Sequence, residues 1–194
     1  MNAMNTHYPE PPFQEPVNRH TLAVIVDNEP GVLARISGMF SGRGYNIESL
    51  TVTETEHESH ISRITIVTTG TRAIIEQIKR QLGRLVPVHK VIDLTLSGET
   101  VERELCLVKV VGHSDDRVEA MRLASAFGAR TLDVTLTSFI FELTGNTDDI
   151  ERFIRLMTAV GLVEVSRTGI AAMARGALGA NGALEMPRLE VKAS

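Results

Sequence analysis

The pattern of strands and helices read from the first half of the chain recurs in the second, and this repeat limits the fold more than any single motif. From His20 an apolar, β-branched run, Leu22 to Val26, closes on Asp27-Asn28-Glu29-Pro30-Gly31, which predicts a buried strand ending in a tight turn. Leu33, Ile36, Ser37 and Phe40 follow at helical spacing until Gly42 and Gly44 break the run. Asn28 is placed to cap that helix or to shape the turn before it, and Pro30 suits a first helical turn, where a missing N–H costs nothing. From Asn46, Leu50 and Val52 alternate with Ser49, Thr51 and Thr53, the mark of a strand with one buried face. A polar connection from Glu54 to Ser59 leads into a returning strand, Ile61 to Val67. Ile74, Ile75, Ile78, Leu82 and Leu85 then predict a second helix, and Val86 to Leu94 a fourth strand whose alternation slips around Lys90 and Val91.

The second half runs through the same order. Glu104 to Val111 is an apolar strand, Ser114-Asp115-Asp116 offers an N-cap to a helix carrying Val118, Met121 and Phe127, and Gly128 stands where Gly44 stood. Thr131 to Thr135 and Phe139 to Leu143 predict paired strands. Ile150, Phe153, Met157 and Val160 share one helical face, and a last strand covers Val163 to Arg167. The fold class is α+β, two tandem ferredoxin-like (βαββαβ) sandwiches, each of about 70 residues and so small enough to be marginal alone. The expected division is a disordered, proline-rich tail at 1–18, a first domain at 19–95, a linker at 96–102, a second domain at 103–176 and a tail at 177–194. From Ile170 onward the chain is rich in Ala and Gly and is expected to be loosely held. Open faces and free edges of such sheets favour pairing, so a homodimer is expected.

Composition narrows the function. A net charge of −4 and a pI near 5.9 leave no electrostatic footprint for a phosphate backbone, and the predicted strands lack the aromatics of an RNA-binding sheet. The lone Cys106 cannot form an internal disulfide and is expected to act as a small core hydrophobe. No signal peptide or spanning apolar run is evident, which points to the cytoplasm. There is no nucleophile elbow, Walker loop or GxGxxG, and no catalytic or metal-ligating set is expected. His57 and His60 among Glu54, Glu56 and Glu58 read as a solvated loop, and Asp115-Asp116 and Asp148-Asp149 as helix-dipole partners.

The turn from Asn28 to Leu33 has the features of a zwitterion site. The first turn of a helix supplies unpaired N–H donors and a partial positive charge for a carboxylate. Loop carbonyls and the Asn28 side chain suit an ammonium, Gly31 allows close approach, and Val32 and Leu33 suit a small apolar side chain. The same residues also make an ordinary strand-to-helix turn, and spacing alone leaves both readings open.

The segment NEPGVLARISGMFSGRGYNIESLTV, from Asn28 to Val52, closely resembles the N-terminal ACT domain of the small, regulatory subunits of acetolactate synthase, also called acetohydroxyacid synthase. Within it DNEPGVLARI is similar to the general ACT ligand turn, and RGYNIESL is more specific to this family. VERELCLVKV at Val101 to Val110 and the VSRTG ending at Gly169 agree. The resemblance implies a chain without catalysis of its own that stimulates a separate catalytic subunit and confers feedback inhibition by branched-chain amino acids, valine above all. Thiamine diphosphate, magnesium and FAD are expected in that partner and no cofactor here. Two effectors are implied at a dimer interface, with Asn28, Gly31, Val32 and Leu33 as one wall and Asn46 and Ile47 of the other protomer as the facing wall. Read alone, Asn46 is a turn residue. Arg35, Arg43 and Glu48 receive no role. An ACT protein acting on another enzyme or on transcription is the alternative. The second repeat, with Gly112-His113-Ser114-Asp115 in place of the Asn-Glu-Pro-Gly turn, is expected to hold no equivalent ligand.

Overall fold

The computed structural model describes residues 15–56 and 60–176. The expected tail at 177–194, most of that at 1–18, and His57, Glu58 and Ser59 lie outside the described residues. The first repeat is β1 (Asn18–Asp27), α1 (Val32–Ser41), β2 (Ser49–Glu56), β3 (Ile61–Gly70), α2 (Arg72–Leu82) and β4 (Val88–Asp93). The second is β5 (Thr100–Val111), α3 (Asp115–Phe127), β6 (Arg130–Val134), β7 (Ser138–Gly145), α4 (Thr147–Thr158) and β8 (Leu162–Arg167), followed by β9 (Ala171–Ala174). The strands pair antiparallel in the order β2-β3-β1-β4 and again β6-β7-β5-β8. Both repeats are therefore ferredoxin-like sandwiches.

In the first repeat, alternation sends Leu22, Val24 and Val26 of β1 and Ile64 and Ile66 of β3 under the helices. There they meet Ile36, Met39 and Phe40 of α1 and Ile75, Ile78 and Leu82 of α2. The slip anticipated near Lys90 is a β-bulge: Ile25 pairs with Lys90 and Val26 with Val88, leaving His89 as the extra residue. His89 Nε2 lies 2.6 Å from Asp27 Oδ1.

The second repeat buries Cys106, Val108 and Val110 of β5 with Phe139, Phe141 and Leu143 of β7 beneath Leu123, Ile150, Phe153 and Met157. Burial raises the Cys106 thiol above its ordinary pKa, as a core role requires. Helix α3 turns a different face inward from the one expected. Val118 and Met121 are 71% and 42% exposed, while Ala120, Leu123 and Ala124 are buried. The set at 120, 123, 124 and 127 has i, i+3, i+4, i+7 spacing, and its alanines let the helix sit close to the sheet.

The largest departure concerns the joint between the repeats. Thr100 to Glu102 falls within the expected linker and Arg103 opens the expected second domain, yet all four residues are strand and pair with β9. The described start of the segment expected to be loose is packed: Ile170 and Ala172 are 2% and 7% exposed, in a third cluster with Ala23, Val67 and Leu94. Ala23 and Val67 lie on the face of the first sheet away from its helices, so β9 covers the surface that a lone ferredoxin-like unit leaves open. Small residues at 171, 172 and 174 bring the backbone of β9 close to that face, which composition alone reads as looseness.

Candidate functional site

Backbone bonds, rather than a capping side chain, build the turn before α1. The Asn28 N–H donates to the His60 carbonyl at 2.6 Å, and the Asp27 N–H to that of Pro87 at 3.2 Å. Gly31 is the N-cap residue, at φ 87° and ψ −5°, with no side-chain cap bond. This left-handed conformation favours glycine. It reverses the chain after Pro30, so the helix starts at Val32; Pro30 belongs to the turn and Asn28 shapes it without capping. Nothing lies within 4 Å of where a Gly31 Cβ would stand. The first intrahelical bond runs from the Arg35 N–H to the Gly31 carbonyl, which leaves the Leu33 and Ala34 N–H groups ahead of the ladder. The first turn of α1 contains no acidic residue, so no carboxylate there offsets its partial positive charge. In contrast, Asp115 and Asp116 occupy the first turn of α3, and Asp148 and Asp149 that of α4.

Asn28 and Gly31 are exposed, and Leu33, 43% exposed, stands at the rim. Val32 is only 7% exposed and packs into the first core, so it presents backbone rather than side chain to a ligand. Asn46 is exposed and Ile47 half-buried against the same core. The Asn46 carbonyl accepts a bond from Thr68 Oγ1 at 2.6 Å, while the Glu48 N–H donates to Val67. The 28–33 turn thus sits beside His60 at the start of β3, and Asn46 beside Thr68 at its end. Eight residues of strand (68 − 60) at about 3.3 Å each put them roughly 26 Å apart. One protomer does not bring the two expected walls together.

The structure adds polar groups that the sequence did not single out. A cleft of ≈ 390 Å³ between the repeats is lined by Arg19, Glu48, Glu104, Thr147, Glu151 and Arg167, among others. Glu104, 4% exposed, accepts two bonds from Arg167 at 2.7 Å each, and this pairing holds the guanidinium above its ordinary pKa. Arg19 bridges Glu48 and Glu102, and Thr21 Oγ1 donates to Glu102. His20 and Asp93 form a buried pair at 2.9 Å. Every one of these pairs spans far more chain than a local motif does, so no local spacing announces it. The one trace in sequence is VSRTG, which holds Arg167 and Gly169. Among the described residues no group of three or more His, Cys, Asp or Glu is placed to hold a metal. No helix there is long and apolar enough to cross a membrane.

A four-stranded antiparallel sheet beneath two helices, with a glycine-opened helix terminus at one end of it, makes the first repeat a domain of the ferredoxin-like class. Comparison with known proteins assigns the family. Residues 22–90 match the model of the AHAS small subunit-like ACT domain, and residues 103–176 that of the small subunit of acetolactate synthase. The probable acetolactate synthase small subunit of Archaeoglobus fulgidus is 48% identical over 81% of this chain and 98% of its own length. The acetolactate synthase isozyme 3 small subunit of Salmonella typhimurium is 42% identical over 81% and 96%. The solved small subunit from Thermotoga maritima superposes with a TM-score of 0.75 at 37% identity, over 82% of this chain and 99% of that one. This chain belongs to the family of regulatory small subunits of acetolactate synthase. Such a subunit implies a catalytic subunit as its partner and is consistent with a non-catalytic role.

Proposed function

We propose that this chain stimulates a thiamine diphosphate-dependent catalytic subunit in the cytoplasm and makes it subject to feedback inhibition by branched-chain amino acids, valine above all. The observation that supports this reading is the separation of the two half-sites. An exposed, glycine-opened helix terminus stands at one end of the first sheet, and Asn46 with Ile47 at the other. A homodimer that sets the turn of one protomer against the second strand of its partner makes two complete pockets by symmetry. Strand β2 is an outer strand, with Val52 43% exposed and one backbone edge that pairs with no other strand among the described residues and so can meet a second copy.

In each pocket the valine carboxylate takes the N–H groups of Leu33 and Ala34. Its ammonium takes the Asn28 side chain and loop carbonyls, and its isopropyl group rests on Leu33 and the partner's Ile47. The partner's Asn46 amide bonds the ligand or the facing loop. Valine that fits the inhibited arrangement better shifts the population toward it, and a coupling of about 1 to 3 kcal/mol gives roughly 5- to 150-fold regulation. Thiamine diphosphate, magnesium and FAD belong to the catalytic subunit in this scheme.

The direct experiment mixes this chain with the catalytic subunit and titrates valine, leucine and isoleucine. Stimulation by the chain and loss of rate on adding valine are expected; the absence of both effects would overturn the reading. Failure to co-purify a thiamine diphosphate enzyme, with valine still binding, would favour an ACT protein that regulates something else.

A further inference from the structure

Two hydroxyls of β2 clasp a single residue of the segment that follows the second sheet. Ser49 Oγ accepts the Ile170 N–H at 3.2 Å, and Thr51 Oγ1 donates to the Ile170 carbonyl at 3.1 Å. Both backbone groups of Ile170 are thereby satisfied by side chains of the first repeat, and its own side chain is buried there. Gly169 makes the approach possible. Its φ is +80°, and a Cβ on it would stand 2.7 Å from Ser49 Oγ and 2.9 Å from Thr51 Oγ1. A third tether is Arg63, which donates to the Ala172 carbonyl at 2.7 Å; burial lowers its pKa from the ordinary value.

The strand that makes this clasp is also the one that Asn46 and Ile47 lead into, and it is bound along its length to β3, Ser49 opposite Val67 and Thr51 opposite Thr65. Beyond the clasp, Ile170 runs into β9. That strand pairs with Thr100–Arg103 of β5, which continues as a central strand of the second sheet. A hydrogen-bonded path thus joins the proposed effector wall to the second core.

We propose that Ser49, Thr51 and Gly169 form the joint through which effector occupancy in the first repeat is passed to the second. This rests on the effector reading given above. In this proposal the clasp bonds seen here are made in one position of β2 and broken in another, so an effector that prefers one position biases the second repeat.

The test uses the full chain carrying Ser49→Ala and Thr51→Val together, both alone and with the catalytic subunit. Calorimetry of the chain alone should give a valine dissociation constant within about threefold of wild type. The valine concentration for half-inhibition of the reconstituted enzyme should rise by about tenfold or more, with stimulation retained. Thr51→Ser, which keeps the hydroxyl, should behave as wild type. Gly169→Ala, which separates the two surfaces sterically, should reproduce the double variant. In both, amides at 100–103 and 171–174 should exchange faster than in wild type. Inhibition at the wild-type concentration, or unchanged exchange, would overturn the joint. So would loss of valine binding in the double variant, since these residues would then serve the pocket. A wild-type chain that binds no valine would overturn the effector reading itself, and the wild-type calorimetry separates the two failures.

Discussion

On the first sheet, the face away from the helices holds Thr21, Ala23, Thr65 and Val67, each 5% exposed or less. On the second sheet the corresponding face holds Leu107, Lys109, Ile140 and Glu142, all half-open. It is crossed by the ion pairs Lys109–Glu164 and Arg130–Glu142. The two sheets share strand order and helix placement, and they differ in what lies on the far side. The first is covered by β9 and the start of β5, whereas none of the described residues covers the second in the same way. The same topology thus serves a sealed layer and an open one, and only the second depends on polar side chains to suit water.

The helix termini differ in a parallel way. Helix α3 has its own carboxylates in its first turn, while α1 has none and is opened by a glycine. The repeat whose sheet is sealed is the one whose first helix starts without a carboxylate in its first turn.

Four measurements test this contrast. Ile170→Asp places a carboxylate in the third cluster and should cost about 3 to 5 kcal/mol in urea unfolding. Ile140→Asp on the second open face should cost about 1 kcal/mol or less; an equal loss would mean that something covers that face in solution.

Valine at about 100 times its dissociation constant should add roughly 2.7 kcal/mol to the native state. Gly31→Asp should abolish the resulting thermal shift by setting a carboxylate against the ligand's own. Gly31→Asn shares the left-handed strain without the charge and should keep part of the shift, and Ser114→Asp before α3 should leave it intact. A normal response from Gly31→Asp would place the pocket elsewhere.

Arg167→Ala leaves the Glu104 carboxylate buried without its two bonds. The expected loss is about 2 kcal/mol, reduced from that of a fully buried pair because Arg167 is 35% open to water. Lys109→Ala breaks an exposed pair and should cost no more than about 0.5 kcal/mol.

The smallest effect concerns the caps. Asn146 Oδ1 accepts the Asp149 N–H at 2.8 Å, so Asn146→Ala should cost about 1 kcal/mol. Ser114, at φ 44° with no cap bond, should be replaceable by Ala within a few tenths of a kcal/mol. Thermal melts of the two variants compare them directly.

Much of this was legible in the residues. The apolar run Leu22 to Val26, the returning strand Ile61 to Val67, and helical spacing at Ile75, Ile78 and Leu82 and at Ile150, Phe153 and Met157 named strands and helices that the structure contains. Patterning of this kind is local, and each element buries the face its own period defines. Bulk misled at α3: Val118 and Met121 attract attention as apolar residues, but the stripe is made by Ala120, Leu123 and Ala124, whose small size carries little signal. In the turn, Asn28, Pro30 and Gly31 were readable as a special strand-to-helix junction. The left-handed Gly31 that moves the helix start to Val32 and turns the Val32 side chain into the core was not.

The sequence by itself determined the repeated topology and the asymmetry between an Asn-Glu-Pro-Gly turn and a Ser-Asp-Asp turn, because the periodicity of each element and the chemistry of each turn are written over a few adjacent residues. Only the tertiary structure decided that Ile170 and Ala172 seal the first sheet, that Ser49 and Thr51 hold Ile170, that Glu104 finds Arg167, and that Asn28 and Asn46 stand at opposite ends of β3. Those facts join residues up to 121 positions apart. Contacts at that range follow from how the second repeat folds back over the first, and no local period records it.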